Sequence, residues 1–255
     1  MTADPVQLEC RDGVLVVRLH RPAVHNAVDG AMLEGLEALV DRLEDDEDAL
    51  AVVLTGAGRS FCAGADLSHL GSLAAHDDGL ELSHRMRHVL GRLADGPRPV
   101  IAAVNGAALG GGCEILTACH LRIAADSARF SFRQAAMGVV TGWGGGARLF
   151  RLLGRSRALL LLLTAATVDA DEALRLGLVD RVVPADRVLA EALALAGAIT
   201  ANSVDSVRAF LELARAWDRE TPAAAAALET RLFERSWGGE HFRRKVREWR
   251  RRGDG

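Results

Sequence analysis

NGAALGGGCEI, residues 105–115, places three consecutive glycines between the hydrophobic run VIAAV and a lone acid, Glu114. Asn105-Gly106 ends a buried strand, and the residues after the glycines begin a helix. Glycines at a helix start let a ligand approach the backbone. They leave unpaired N–H groups at the end where the helix dipole adds positive potential. Such a place binds a developing negative charge.

A second loop of the same kind lies upstream. TGAGRSFCAGADL, residues 55–67, also follows a buried strand, LAVVLTG. It is not a dinucleotide fingerprint, because the third glycine position holds Phe61 and the loop runs too long before its helix. Two such loops that converge supply a pair of N–H donors for one oxygen, which is an oxyanion hole for an enolate or tetrahedral intermediate. Glu114 stands beside it. An acid in a helix's first turn also gains about 0.3–1 kcal/mol from the dipole with no catalysis at all, so position alone does not assign its role.

Composition removes whole classes of chemistry. The chain has 255 residues, 49% of them hydrophobic, enough to bury one substantial core. Its net charge of −3 gives no general attraction for nucleic acid. There is no tyrosine, and Lys245, in FRRKVREW, is the only lysine. A Walker-type phosphate loop needs a lysine directly after its glycines, so that reading is out. Cys10, Cys62, Cys113 and Cys119 form no CxxC pair and read as buried small hydrophobes. The start, MTADPVQLEC, lacks the basic and apolar segments of a signal peptide, and the apolar stretch at 158–168 is too short for a membrane span. The expectation is a cytoplasmic protein with no membrane or nucleic-acid partner, and no metal is called for.

Along the chain, strands and helices alternate. VQLECRDGVLVVRLHRP predicts two strands joined at Asp12-Gly13, and Met32, Leu36, Leu39, Val40 and Leu43 mark one face of a helix from Asp29. SHLGSLAAHDDG reads as polar and mobile, before a helix to about Ala94. The strand, loop, helix cycle returns through VIAAVNG, LRIAADSARFSF and LGLVDRVV. The last 55 residues are helical, with apolar faces of Phe210, Leu211, Ala214 and Trp217, then Leu228, Leu232, Phe233 and Trp237, then Phe242, Val246 and Trp249. Seven basic residues between 243 and 252 form either a solvated face or a contact for phosphates or another subunit.

HRPAVHNAV, SFCAGADL, AAVNGAALGGGCEI, LRIAADSARF, MGVVTGWGGGARL and LLTAATVDADEALRLGLVDRVVP resemble, in order and spacing, the motifs of the enoyl-CoA hydratase/isomerase, or crotonase, superfamily. The resemblance covers nearly the whole chain. It implies an α/β fold, a spiral of ββα units over 1–200, with a helical oligomerisation region over 201–255 that builds trimers or hexamers. It implies that the N–H groups of Ala65 and Gly111 hold the thioester carbonyl and that the backbone of Ala63, Ala65 and Leu67 recognises the adenine of coenzyme A. Asp66, Thr141 and Trp143 complete the substrate-facing set. Coenzyme A enters as part of the acyl-CoA substrate, with no separate cofactor. Glu114 matches one of the two catalytic glutamates of the hydratases.

The second glutamate position holds Gln134, and no Asp or Glu occurs from 127 to 168. Hydration needs an activated water and a proton delivered to the neighbouring carbon, work normally divided between two carboxylates. Glutamine orients a water but does not exchange a proton at neutral pH. The same gap removes the aspartate nucleophile of the aroyl-CoA dehalogenases and the base of one isomerase type. TGWGGGARL and RSWGGEHF resemble segments of the ethylmalonyl- and methylmalonyl-CoA decarboxylase branch. These points rank decarboxylation or another lyase reaction slightly above hydration or isomerisation by Glu114 alone. The alternative from another class is a catalytically silent CoA-binding assembly subunit. His120 and Thr141, which also depart from the family pattern, read as local packing.

Overall fold

The computed structural model describes residues 4–72 and 76–253. β1 (Val6–Arg11) and β2 (Val14–Leu19) form the predicted antiparallel hairpin, with Asp12 at φ 48° and Gly13 at φ 78° in its two-residue turn. Positive φ at both positions matches the twist of the strands, and an Asp-Gly pair reaches it with little strain.

After β2 the chain repeats one pattern three times. β3 (Ala51–Gly56), β5 (Val100–Val104) and β7 (Leu121–Ala125) pair in parallel, and β10 (Arg181–Val183) joins the far edge to give the order β1-β2-β3-β5-β7-β10. Each of the three is followed by a short strand, β4 (Ser60–Cys62), β6 (Ala107–Leu109) or β8 (Arg129–Ser131), that turns into a second sheet. With β9 (Val168–Asp169), that sheet has the order β4-β6-β8-β9. Helices then close each turn: α2 (Leu67–Ser72) and α3 (His76–Asp95) after β4, α4 (Gly111–Ala118) after β6, and α5 (Gly145–Leu153) and α6 (Arg155–Thr164) after β8. This is the expected ββα spiral.

β3 and β5 are buried along their whole length, which is why AVVLTG and VIAAV read as unbroken small and apolar runs. α1 (Gly30–Asp45) starts where Asp29 Oδ1 accepts the Met32 N–H at 2.9 Å, and its buried stripe is the predicted one with Leu33 added. α8 (Val188–Thr200), after α7 (Ala170–Leu176), packs across β2, β3, β5 and β7. Its apolar stripe seals that face.

Some expectations need correction. β4 and β6 fall inside stretches read as loops. Three-residue strands of small residues carry no alternation, and partner strands rather than propensity decide them. Cys62, Cys113 and Cys119 are buried, but Cys10 is exposed, because β1 is an edge strand. The stretch expected to be mobile includes 73–75, which lie outside the described residues; on either side of them α2 and α3 are helical.

The tail is helical, as α9 (Val204–Arg219), α10 (Pro222–Ser236) and α11 (Glu240–Gly253). Phe210 and Trp217 are 72% and 74% exposed, and Phe233 and Trp237 57% and 61%. These faces do not pack on the body of their own chain. Among the described residues, no single helix is long and apolar enough to cross a membrane.

Candidate active site

β4 pairs with β6 in parallel, Ser60 opposite Ala107 and Cys62 opposite Ala108, so the loops that leave these strands run side by side. Their backbones nearly touch: a Cβ on Gly64, which sits at φ +89°, would lie 2.7 Å from the Gly111 nitrogen. The loop N–H groups divide into two sets. Ala63 donates to His25 O at 3.0 Å, Asp66 to Val28 O at 2.8 Å and Gly110 to Ser131 O at 2.8 Å. Among the described residues, the N–H groups of Ala65 and of Gly111, the first residue of α4, donate to no acceptor. These are the two N–H groups to which the family resemblance points.

Trp143 closes over Gly111. Its ring is buried, and a Cβ at Gly111 would come within 2.8 Å of Trp143 Cε3 and nearer still to two other ring atoms. Glycine is required there by close approach, and the indole in turn limits how far the start of α4 can move.

One helical turn on, Glu114 is 2% exposed. Its Oε2 accepts the backbone N–H of Trp143 at 2.8 Å and of Gly145 at 2.9 Å. Its Oε1 accepts Gln134 Nε2 at 3.0 Å. Burial pushes the Glu114 carboxyl above its ordinary range, against the opposing pull of these three donors and of the Arg148 guanidinium. Gln134 Oε1 is buried and accepts no hydrogen bond among the described residues. The result is one carboxyl, held rigidly and biased toward its neutral form, beside an amide with a spare acceptor.

The remaining candidates lie in the same two segments. Asp66 pairs with Arg21 at 3.0 Å and caps α2 through the Ser68 and His69 N–H groups, so its carboxylate already has structural partners. Leu67 is 64% exposed at the start of α2. Thr141 Oγ1 accepts the Gly146 N–H at 3.2 Å in the first turn of α5. His120 Nδ1 accepts the Val100 N–H at 3.0 Å, and burial lowers its pKa to about 4. That is consistent with its reading as local packing.

Two residues that hold the site were not singled out from sequence. Asn26 is fully buried, sits at φ 58°, and donates to Ala57 O at 2.9 Å and Ser60 O at 2.8 Å, while Arg21 N–H donates to its Oδ1 at 2.9 Å. It pins the loop that leads into β4 and on to Ala65. The cue was a His-Asn pair between a strand and a helix, where Asn tolerates positive φ. Arg148 donates from Nη2 to Trp143 O at 2.8 Å and from Nε to Thr117 Oγ1 at 3.3 Å, tying α5 to α4 behind Glu114.

Comparison with known proteins agrees with this architecture. The family model for enoyl-CoA hydratase/isomerase matches residues 9–253. A probable enoyl-CoA hydratase of Mycobacterium tuberculosis is 37% identical over 240 residues, covering 94% of this chain and 92% of its own. An ethylmalonyl-CoA decarboxylase of Gallus gallus is 35% identical, covering 89% and 77%. The crystal structure of an enoyl-CoA hydratase from Bacillus anthracis superposes with a TM-score of 0.94 at 30% identity, covering 97% of this chain and 96% of that one. Hydratase names dominate among the relatives, so the ranking of decarboxylation first draws no support from them. The spiral of strands, the two adjoining loops and a match over almost the full length lead to one conclusion: this chain belongs to the enoyl-CoA hydratase/isomerase family.

Proposed function

We propose that the protein acts on an acyl-CoA thioester, holding the carbonyl oxygen between the N–H groups of Ala65 and Gly111 while Glu114 transfers a proton at the adjacent carbon. The observation that carries this reading is the conjunction of two free backbone donors with one buried carboxyl of raised pKa. Preorganised donors aimed at a developing oxyanion are worth about 10² to 10³ in rate each. A carboxyl that retains its proton nearer neutral pH is a better acid there.

The finer reading that the site's residues favour is loss of CO2 from a malonyl-type thioester. The bond between the α-carbon and the carboxylate breaks, its electron pair forms the enolate held by the two donors, and CO2 leaves. Glu114 then delivers its proton to the α-carbon and regains one from water. No second carboxylate is needed, and the neutral Gln134 amide does not repel the substrate's own.

Hydration of an enoyl-CoA is the second reading, favoured by the relatives' names and by Gln134 Oε1, a spare acceptor that suits a water. Here water adds to the β-carbon, and its proton passes to Glu114 as the α-carbon takes one up. Oε2 already accepts two backbone N–H groups, so Oε1 would serve both transfers. The exposed faces of α9 and α10 support assembly into a trimer or hexamer.

Incubation with crotonyl-, malonyl-, methylmalonyl- and ethylmalonyl-CoA, followed by mass spectrometry, tests these readings together. Loss of CO2 from a malonyl-type thioester supports the first, and gain of water by crotonyl-CoA supports the second. If no thioester changes and none exchanges its α-hydrogen in D2O, both catalytic readings fail and the silent CoA-binding subunit is the reading left.

A further inference from the structure

A cavity of about 450 Å³ lies behind the catalytic loops, between the C-terminal ends of α3 and α4, the outer side of α5, and α9. Glu114, Gln134, Ala65, Gly111 and Trp143 do not line it. Six arginines do: Arg87, Arg122, Arg148, Arg151, Arg215 and Arg219. Asp95 and Asp218 are the acids in its wall, and His120 is neutral there because burial lowers its pKa to about 4. Six arginines against these two carboxylates, and against Asp180, which pairs with Arg122 from outside the cavity, leave an excess of three. The helix C-termini of α3 and α4 offset about one of these.

The existing partners do not use up this charge. Arg219 holds the Asp95 carboxylate at 2.6 Å, and Arg215 donates to the Asp95 carbonyl. Arg122 is 4% exposed, donates to Cys119 O at 2.8 Å and pairs with Asp180 outside the cavity at 3.3 Å, while its buried Nε has no acceptor among the described residues. Arg148 bonds to neutral oxygens, the carbonyls of Glu114 and Trp143 and the Thr117 hydroxyl, and burial disfavours its charged form. Arg87 and Arg151 are exposed and pair with nothing among the described residues.

Guanidinium groups gathered in excess of their carboxylate partners repel one another, and the half-buried Arg148 has only neutral oxygens as partners; an anion in the cavity relieves both costs. The planar fork of arginine matches phosphate and carboxylate oxygens. The space equals roughly 15 water volumes, more than a single monovalent ion fills. We propose that this cavity binds a small multivalent oxyanion bearing phosphate or carboxylate groups, at a site separate from the thioester site.

Calorimetric titration of the full chain at low salt, with inorganic pyrophosphate and with citrate as probes, tests this. The expected result is one anion per chain with an affinity that falls as salt rises. Arg87→Ala/Arg151→Ala, made on exposed side chains that the fold does not need, should weaken binding at least about tenfold. Gln134→Ala, beside Glu114, and saturation with coenzyme A should each leave it unchanged, which separates this proposal from that for the thioester site. Binding of pyrophosphate alone assigns phosphate chemistry, and binding of both probes assigns polyanions in general. Absence of binding by either probe at millimolar concentration, or an Arg87→Ala/Arg151→Ala variant with the parent's affinity, overturns the proposal.

Discussion

Gly145 donates its N–H to Glu114 Oε2 at 2.9 Å, and the Cβ it lacks would lie 2.7 Å from Glu114 Cβ and 2.9 Å from Glu114 Cα. The hydrogen bond and the missing side chain are one requirement: α5 must begin flush against α4. Gly145→Ala should push the two helices apart, since a backbone atom cannot swing away. Overpacking of this kind costs about 1–3 kcal/mol, and a shift of about 1 Å in a catalytic group costs about 10² in rate. Urea unfolding and kcat/KM on the same variant check both; parent values in each would remove the contact from the argument.

The raised pKa of Glu114 has a definite sign for stability. Below the ordinary carboxyl value, both folded and unfolded chains hold the proton and the group contributes no pH dependence. As pH rises past that value the unfolded chain releases its proton while the folded chain keeps it, so stability falls until the folded pKa is passed. Glu114→Gln should abolish this slope and leave the variant the more stable at neutral pH. Its amide oxygen can accept from Trp143 and Gly145, and a turned Gln134 amide can accept from its NH2. Activity should fall by about 10² to 10⁴. Unfolding at about pH 5 and about pH 8 decides, because a parent that gains stability relative to the variant with rising pH contradicts a raised pKa.

Gln134 is bonded to the Glu114 oxygen available for proton transfer, at 3.0 Å. Gln134→Glu would place two carboxyl groups there, and they would share one proton, as close carboxyl pairs do. Hydration of crotonyl-CoA should rise by about 10² to 10⁴, the usual worth of an added general base. Turnover of malonyl-type thioesters should fall, because a second anion repels the substrate carboxylate. Rates that move together in one direction would sink the two-reaction reading of this position.

Phe210 and Trp217 on α9 are both more than two-thirds exposed. Faces of this kind mark contact surfaces. Phe210→Glu/Trp217→Glu should lower the particle mass seen by light scattering with little change in the far-ultraviolet spectrum of the core. A particle of unchanged mass would exclude this face from assembly.

Local chemistry was legible in the sequence and distant pairing was not. The Asp12-Gly13 hairpin, the stripe of α1 and the buried runs of β3 and β5 each declare themselves within a few residues. β4 and β6 do not, because three small residues become a strand only when another strand lies alongside. Gly111 and Ala65 were singled out through glycine placement and family resemblance. The donors that lock Glu114 are backbone groups of Trp143 and Gly145, about 30 residues away, and no property of those side chains announces an N–H. Asn26 was within a quoted motif, but its carbonyl partners arrive from residues 57–61, beyond any local rule.

The three donors that clamp Glu114 also bear on chirality. A carboxyl with both oxygens tied down cannot rotate to follow a substrate, so for the reaction proposed here it meets a bound thioester from a single side. A deuteron delivered from such a group enters one prochiral position of the α-carbon and not its mirror. The handedness of a labelled product would then be dictated by two backbone N–H groups, and acyl chains of different length would share it as long as their carbonyl occupies the same hole.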